Sequence, residues 1–227
     1  MHGPARVAVY FAPAPDDSLA DAGATWLGRD AEKNVPKTQP GQPGLAELTE
    51  EPRLYGFHAT LKPPFRLTSG SDWSAFIAAA RALAASIAPF QLPTLWVADL
   101  HGFLALREQE FCAPLQSLCD RCVSELDAFR APSAEAELAR RRKAGLTAGQ
   151  DAMLLRWGYP YVFEEWFFHM TLTRRLSAEE KASVMPAAEA FFADALAVPR
   201  RIDAICLFTQ AEPQTPFVIA ERLPLRG

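Results

Sequence analysis

The sequence lacks three features that would each define a class of protein. It contains no run of about 20 apolar residues, the length that a helix needs to cross a bilayer, so no membrane span is predicted. Residues 1–15 lack the basic start, long apolar core and cleavage pattern of an export signal, and we therefore expect a cytoplasmic protein. Positive charge is not in excess either. A net charge of −4 and an isoelectric point near 5.6 disfavour a surface for long nucleic acid.

Cysteine is scarce, with four residues, and its arrangement is a poor match to a metal site. Cys119 and Cys122 have the Cys-x-x-Cys spacing, but a structural zinc site generally needs four ligands and usually a second such pair. Cys112 lies on the same predicted helix, and Cys206 lies within an apolar strand. We therefore expect buried thiols that act as small hydrophobic side chains, and we expect neither a metal ion nor another cofactor.

Histidine is equally scarce, yet two of the four histidines occupy the same short motif. The tetrapeptide His-x-Thr-Leu begins at His58 and again at His169. Two imidazoles and two hydroxyls that meet in one cleft form a metal-free phosphodiester site, since one imidazole can accept a proton, the other can donate one, and the hydroxyls can bind phosphate oxygens. His2 is terminal, and His101 lies in a predicted turn, where we expect it to be exposed. The repeated motif is the strongest functional signal in the sequence.

Each copy of the motif lies in a segment of alternating apolar and polar residues, which predicts a strand with two different faces. His58, Thr60 and Lys62 are predicted to share one face, and the two prolines after Lys62 are expected to end that strand. In the second copy, His169 and Thr171 share one face. An amphipathic strand with its polar face in water would explain one copy. Two copies in matched contexts favour a shared catalytic cleft.

A helix and two strands are predicted after each motif. After the first motif they are Asp72–Ile87, Leu92–Ala98 and Gly102–Arg107. After the second they are Ser177–Leu196, Arg201–Thr209 and Pro216–Leu223, and the spacing of Ser177 and Glu180 predicts a capping box at the start of that helix. This repetition predicts two lobes, about 1–130 with the first motif and about 150–227 with the second. Because no linker-like break separates them and 49% of the residues are hydrophobic, we expect a single bilobal domain of 227 residues with a shared central cleft.

Two polar segments each allow two interpretations. Asn34–Gly44 is rich in Pro, Gly, Gln and Lys, which predicts a surface loop, either a plain loop or a flap that covers the cleft. Four consecutive basic residues begin at Arg140. Pairing of Arg140 and Arg141 with Glu137 on a solvated helical face would explain this run, and attraction of an anionic substrate is the alternative.

Two longer strings make the likeness to a known family specific. Residues 55–65 read YGFHATLKPPF, and residues 156–161 read RWGYPY, followed by HMTLT at residues 169–173. Together with the repeated helix and strands, these strings resemble the two-histidine (2H) phosphoesterase superfamily. Its members include RNA 2′,3′-cyclic phosphodiesterases, 2′,5′ RNA ligase-like proteins and ADP-ribose cyclic phosphate hydrolases. Within the superfamily, the strings are similar to a bacterial branch associated with phosphonate-utilisation operons, and the likeness spans nearly the whole chain.

The resemblance implies an α+β fold of the bilobal, LigT-like kind, with two pseudo-symmetric lobes of antiparallel sheet and helices around a central cleft. It also implies that His58 and His169 are the acid–base pair and that Thr60 and Thr171 bind phosphate. An imidazole, with a reference pKa near 6.5, can take either protonation state close to neutrality, which suits this pair to proton transfer.

Further substrate contacts are predicted at Lys62, Tyr55, Arg156, Tyr159, Tyr161 and Phe167. The ammonium of Lys62 could neutralise phosphate charge, or it could simply be solvated at the strand end. Arg156 could bind a second phosphate through two parallel hydrogen bonds. The two later tyrosines could supply a hydroxyl or a stacking surface, or they could belong to a structural aromatic turn.

Two of these predicted contacts depend on the direction of the side chain. Phe167 shares the face of His169 and is expected to line the cleft. Tyr55 is out of phase with His58, so it reaches the site only if Gly56 permits a bulge in the strand.

Taken together, these features predict a metal-independent phosphodiesterase that acts on a small cyclic phosphate or on a phosphorylated nucleotide or ribosyl metabolite, in phosphonate utilisation. Two other functions stay open. One is an RNA-end cyclic phosphodiesterase or 2′,5′ ligase-like enzyme, and the other is a protein that binds a phosphorylated metabolite without converting it. A small phosphorylated partner fits the acidic composition better than a polymer does.

Overall fold

The computed structural model describes residues 4–143 and 145–227, and His2 lies outside them. The strands are β1 Arg6–Phe11, β2 Arg29–Asp30, β3 Val35–Pro36, β4 Ala59–Phe65, β5 Phe90–Leu92, β6 Leu95–Leu100, β7 Phe103–Glu108, β8 Met170–Thr171, β9 Arg200–Ile202, β10 Ala204–Gln210 and β11 Val218–Pro224. The helices are α1 Ser18–Leu27, α2 Leu45–Leu48, α3 Glu50–Tyr55, α4 Trp73–Ala85, α5 Ala113–Glu125, α6 Glu135–Arg142, α7 Ala148–Trp157 and α8 Ala178–Leu196. The predicted α+β class is confirmed.

Seven strands form one antiparallel sheet in the order β11-β10-β1-β4-β8-β7-β6. The two motif strands, β4 and β8, are neighbours at its centre. The hairpin β6–β7, which follows the first motif in sequence, pairs with β8, while β10–β11, which follows the second motif, joins β4 through β1. Each motif strand therefore lies on the side of the sheet that contains the hairpin following the other motif. For this reason, the two halves of the sheet do not correspond to the chain before residue 130 and the chain after residue 150.

Strand β4 continues through Pro63 and Pro64 to Phe65, so the expectation that the prolines end it was wrong. The reason lies in the pairing. Strand β4 contacts β1 along its length, up to the pair Phe65 and Val7, whereas β8 pairs with it only at Ala59. Because one edge of the strand is unpaired at the prolines, their missing N–H groups interrupt no ladder on that side.

The two faces of the sheet differ in character. In β1, Val7, Val9 and Phe11 enter the main core, against which helices α1, α4, α5 and α8 pack. The alternate residues, Ala8 and Tyr10, belong to a smaller cluster on the opposite face. This period-two alternation leaves one face for the core and the other for a cleft.

Several local predictions are confirmed. Ser177 and Glu180 form the predicted capping box, in which each side chain bonds the backbone N–H of the other, and the helix ends at Leu196 as expected. Cys119 and Cys122 are fully buried, in agreement with the prediction of hydrophobic thiols. His101 is exposed in the turn between β6 and β7.

The segment Asn34–Gly44 does not cover the cleft. Residues 35 and 36 form β3, which pairs with β2. Further on, the Gln39 amide donates hydrogen bonds to the carbonyl oxygen of Trp26 at 2.7 Å and to the hydroxyl of Thr49 at 2.8 Å. These bonds hold the segment against α1 and the start of α3, so the plain surface loop is the correct interpretation.

Among the described residues, no helix combines the length with the apolar character that crossing a bilayer requires.

Gly23→Ala is expected to destabilise the fold. Gly23 lies on α1 beneath the ring of Phe57, and a Cβ atom there would lie 2.1 Å from the nearest ring carbon. Phe57 is buried and directly precedes the first motif histidine, so the ring cannot move away cheaply. Overpacking of this kind costs about 1–3 kcal/mol in the free energy of unfolding, measured by urea titration.

Gly149→Ala, within α7, is the matched control. Its nearest neighbouring atom would lie 3.9 Å from the new Cβ, and alanine is the better helix former, so the unfolding free energy should rise by about 0.5–1 kcal/mol. Equal stability of the two variants would refute the close approach beneath Phe57.

Candidate active site

The two motif strands are in direct register at the centre of the sheet. Ala59 in β4 pairs with Met170 in β8, in an antiparallel arrangement, and both side chains are fully buried in the core. Because successive side chains alternate between faces, the residues on either side of this pair project from the opposite face, towards the cleft.

Antiparallel pairing then sets the motif side chains across from one another. With Ala59 opposite Met170, His58 lies opposite Thr171 and Thr60 lies opposite His169. Residues directly opposite in an antiparallel pair have Cβ atoms about 4.5–5.5 Å apart. The fold thus places two imidazoles and two hydroxyls in a diagonal arrangement on one patch of sheet surface.

The two imidazoles have equivalent hydrogen bonds. The Nδ1 atom of His58 lies 2.8 Å from the carbonyl oxygen of Gly56, and the Nδ1 atom of His169 lies 3.1 Å from that of Phe167. A carbonyl can only accept, so each Nδ1 carries the hydrogen and donates it, and each Nε2 is left without a hydrogen. His58 lines the cleft, and His169 lies beside it, against the lining residue Phe103. The hydroxyl of Thr60 lies 3.3 Å from Nε2 of His58.

Gly56 makes the sharp change of direction between α3 and β4. Its φ is +79°, and a Cβ atom would lie 2.6 Å from Cβ of Ala31, so glycine is required there. This turn, rather than the bulge considered from the sequence, brings Tyr55 to the cleft. The Tyr55 ring stacks on Phe217 at 5.4 Å and lies 6.3 Å from the imidazole of His58.

Burial lowers the pKa of both histidines. It lowers the pKa of His58 from 6.5 to about 4, opposed by the hydrogen bond to Gly56 and assisted by the nearby His169. Burial also lowers the pKa of His169, opposed by the bond to Phe167 and assisted by Arg107. Both imidazoles are therefore neutral near pH 7 in the unliganded protein, and a bound phosphate anion would favour protonation of one of them.

Tyr10, which the sequence analysis missed, supports His58. Its ring stacks on the imidazole with centroids 3.8 Å apart and planes 22° apart, and it pairs across the strands with Thr60. Tyr10 is only 1% exposed, and burial raises its pKa well above the ordinary value. The sequence signal for Tyr10 was its place between Ala8 and Ala12, as the one aromatic residue on the cleft face of β1.

Two tryptophans, also missed, fix the backbone of the motifs. The indole of Trp166 donates to the carbonyl oxygen of Thr60 at 2.8 Å, and the indole of Trp26 donates to that of Leu172 at 3.1 Å. Each bond reaches a motif strand from a distant part of the chain. Sequence pattern gave no signal for either bond, because a tryptophan among apolar residues usually predicts only core packing.

Lys62 does not face the cleft, so its predicted contact with phosphate there was wrong. The side chain is 1% exposed, and its ammonium donates to the carbonyl oxygen of Val123 at 2.9 Å and to Asp127 at 3.2 Å. The physical reason is an irregular register of β4 against β1 between Thr60 and Lys62, which puts Lys62 out of phase with the motif side chains. Burial lowers the pKa of Lys62.

The other predicted contacts lie at different distances from the cleft. Tyr159 lines it, beneath the guanidinium of Arg141 at 4.7 Å. Tyr161 packs edge-on against Tyr159 at 5.6 Å but is not part of the cleft lining. Arg156 is exposed and lies over its neighbour Trp157 at 4.6 Å, outside the cleft, so the structure does not bring it to the motifs.

Phe167 lies beside His169, with ring centroids 5.0 Å apart, and under the guanidinium of Arg107 at 5.0 Å. It lines a neighbouring cavity rather than the cleft itself. Phe103, which the sequence analysis did not single out, lines the cleft and packs edge-on against His169 at 6.1 Å.

The cleft has a volume of about 520 Å³ and a strongly basic rim. Its lining includes the motif residues His58, Thr60 and Thr171. Five arginines and one acid, Glu51, also line it; the arginines are Arg6, Arg140, Arg141, Arg174 and Arg175. In a chain with a net charge of −4, this local excess of cations marks a site for an anion.

Arg141 of the basic run on α6 takes part in an ion pair along the helix and also lies at the cleft. Its guanidinium pairs with Glu137 at 3.4 Å, as the helical spacing predicts, and it also lines the cleft. Its Nε atom is buried without a hydrogen-bond partner among the described residues. The guanidinium is thus partly removed from water at the cleft rim, and its attraction to a bound anion is stronger there than in bulk water.

Fold and motifs together define the class. The chain is an α+β protein with two His-x-Thr motifs on adjacent central strands of an antiparallel sheet. Residues 60–218 match the family described as "Protein of unknown function (DUF1045)", and the chain belongs to this family.

Curated relatives and a solved structure are similar to this chain. Ribose 1,5-bisphosphate phosphokinase PhnN from Janthinobacterium sp. (strain Marseille) is 43% identical over 231 residues, which are 98% of this chain and 51% of the relative. The protein of the same name from Laribacter hongkongensis (strain HLHK9) is 37% identical over 214 residues, 93% of this chain and 50% of the relative. The chain thus spans about half the length of these relatives. The crystal structure of E. coli LigT complexed with phosphate is similar over 100% of both chains, with 12% identity and a TM-score of 0.48.

Proposed function

We propose that the chain is a metal-independent phosphodiesterase that hydrolyses a small cyclic phosphate, by acid–base catalysis from His58 and His169. The observation that carries the proposal is the pairing of Ala59 with Met170, which sets the two imidazoles and two threonine hydroxyls across one another. Binding alone does not need two proton-transfer groups, so this arrangement favours an enzyme over a protein that only binds a phosphometabolite.

The proposed reaction is attack of water on phosphorus. One neutral imidazole removes a proton from water through Nε2 while the new P–O bond forms. The opposite imidazolium gives its proton to the ring oxygen as the old P–O bond breaks, which yields a phosphomonoester and a free hydroxyl. Each proton transfer contributes about 10²–10⁴-fold. Thr60 and Thr171 donate hydrogen bonds to the phosphate oxygens, and the arginines at the rim offset the negative charge.

A phosphorylated ribosyl compound is the substrate class that we favour. The name of the two curated relatives states that those proteins act on ribose 1,5-bisphosphate. The motif strings resemble the branch associated with phosphonate utilisation, and a cyclic phosphate of a phosphorylated ribose would fit both observations and the basic rim. The acidic overall charge favours such a small anion over an RNA chain.

A kinase activity for this chain has less support. The match covers only about half of each relative named as a phosphokinase. The sequence contains no Gly-Lys dipeptide, and therefore no P-loop of the form G-x-x-x-x-G-K-[ST] to bind nucleotide phosphates.

A panel of cyclic phosphates tests the proposal. The panel contains ribosyl 1,2-cyclic phosphates, nucleoside 2′,3′-cyclic phosphates and oligonucleotides with cyclic ends, all with EDTA present. We expect turnover of the small compounds with EDTA, lowered by at least about 10²-fold in the double variant in which both motif histidines are replaced. Loss of activity with EDTA, or activity of the double variant within a few-fold of wild type, would contradict the mechanism. Turnover of the oligonucleotide ends alone would favour an RNA-end enzyme.

The pH dependence of kcat/KM follows from the lowered pKa values. Catalysis needs one neutral and one protonated imidazole, and burial lowers the pKa of both from 6.5, that of His58 to about 4. Activity is lost as pH rises above the higher of the two pKa values and again as pH falls below the lower one. We therefore expect a bell-shaped profile with its maximum below about pH 6.5, measured from about pH 3.5 to about pH 8.5. A maximum above about pH 7 would show that burial does not control these groups in the free enzyme.

A further inference from the structure

A second cavity, of about 430 Å³, adjoins the cleft and has as many cations in its lining. We call it the basic cavity. Five cations line it, and they are Arg6, Lys62, Arg66, Arg130 and Arg140. The cleft and the basic cavity share Arg6, Arg140 and the prolines at 63 and 64, so the two depressions are continuous across the outer half of β4.

The charges in the basic cavity are not balanced within the protein. Lys62 and Arg130 share a single carboxylate, that of Asp127, at 3.2 Å and 2.7 Å. The one acid in the lining, Glu137, pairs with Arg141 of the cleft rim. With Arg141 included, six cations therefore lie near only two carboxylates, those of Asp127 and Glu137.

Three of the cations in the lining have no carboxylate partner among the described residues, and they are Arg6, Arg66 and Arg140. Such an excess in a chain with a net charge of −4 costs stability through repulsion unless an anion binds there.

Arg6 is held in a position from which it can contact ligands in both cavities. Its Nε donates to the side-chain oxygen of Gln210 at 2.7 Å, and its guanidinium lies over the ring of Phe217 at 5.3 Å. These two contacts fix the plane of the guanidinium and leave its two terminal amino groups for an anion. A guanidinium that is already ordered loses little side-chain entropy when it binds a phosphate.

We infer that the cleft and the basic cavity form one bipartite site, whose substrate carries a second phosphate in addition to the phosphodiester that is cleaved. The inference rests on the proposed function for the position of the first phosphate. A strand rises about 3.3 Å per residue, so the shared floor at Pro63 lies roughly 10 Å along β4 from Thr60. This span suits a phosphorylated sugar or a nucleotide, with its cyclic phosphate at the histidines and its terminal phosphate against Arg6, Arg66 and Arg140.

The first experiment measures binding with a matched pair of ligands that cannot be turned over. Adenosine 2′,5′-bisphosphate and adenosine 2′-monophosphate differ only in the second phosphate, and calorimetry gives a dissociation constant for each. Charge-assisted hydrogen bonds of about 1.5–3 kcal/mol correspond to a preference of roughly 10- to 150-fold for the bisphosphate. In the double variant Arg66→Ala with Arg140→Ala, we expect this ratio to fall towards one.

Arg81→Ala combined with Arg201→Ala is the matched control, because these two exposed arginines line neither cavity and their loss changes the net charge by the same amount. The control should keep the full preference. A wild-type protein that binds the two ligands equally, or a double variant that keeps the preference, would overturn the bipartite site.

Turnover separates this inference from the proposed function. The same comparison is made with adenosine 2′,3′-cyclic phosphate and its 5′-phosphorylated counterpart as substrates. Preference for the bisphosphate ligand without turnover of either cyclic phosphate supports the second subsite and refutes the phosphodiesterase. Turnover of both at equal kcat/KM, with equal ligand affinities, supports the phosphodiesterase and refutes the second subsite.

Discussion

Replacement of either motif histidine by asparagine is expected to lower kcat/KM by about 10²–10⁴-fold, because each variant removes one proton-transfer group. Asparagine has a polar side chain of similar length, and its amide can still donate to the backbone carbonyl that accepts from Nδ1. This carbonyl belongs to Gly56 for His58 and to Phe167 for His169. It cannot take up or release a proton near neutrality. The loss should therefore appear in kcat, while the affinity for a phosphate ligand changes little.

The double replacement should cost little more than either single one. Groups that act as a unit in one transition state are strongly non-additive, since the loss of the first already disables the concerted transfer. His101→Asn is the matched control, because this histidine lies exposed in the β6–β7 turn, where its φ of 53° is readily adopted by asparagine. A single variant at His58 or His169 with activity within a few-fold of wild type would exclude that residue from proton transfer.

Thr60→Val and Thr171→Val are each expected to lower kcat/KM by roughly 10- to 150-fold. Valine matches threonine in shape and lacks only the hydroxyl that donates to the phosphate, a charge-assisted hydrogen bond of about 1.5–3 kcal/mol. The two substitutions should have similar effects, because Thr60 and Thr171 occupy equivalent places opposite His169 and His58. Steady-state kinetics with a cyclic phosphate measure the loss.

Two further variants separate the hydroxyl from the shape of the side chain. Thr60→Ser keeps the hydroxyl and should keep most of the activity, and Thr38→Val changes an exposed threonine in the 34–44 loop and should have no effect. Full activity in Thr60→Val together with Thr171→Val would mean that the phosphate is bound by the arginines of the rim alone.

The motif strands could be predicted from the sequence because their signal is local. The alternation at His58 and His169 gives a face to each strand, and a repeated tetrapeptide indicates that the two faces meet. The capping box at Ser177 and Glu180 is equally local, and it fixed the start of α8 correctly. In each case, residues within a few positions of one another determine the result.

Features that depend on contacts between distant segments could not be predicted in this way. The irregular register between β1 and β4 sends Lys62 into the core, and no residue near it in sequence signals that change of phase. The position of β6–β7 beside β8, and of β10–β11 on the side of β4, is determined by the order of strands in the sheet. Arg6 and Tyr10 reach the cleft only because β1 inserts between β10 and β4. Arg156, in contrast, has the right chemistry but lies on the outer side of α7's last turn.

A titration of the histidine-labelled protein with inorganic phosphate tests the central claim most directly, by nitrogen NMR of the imidazoles. If one phosphorus lies between both rings, the Nε2 resonances of His58 and His169 will shift together and saturate with the same dissociation constant, and that of His101 will not respond. A response of only one of the two, or two different dissociation constants, would show that the rings do not flank a single phosphate.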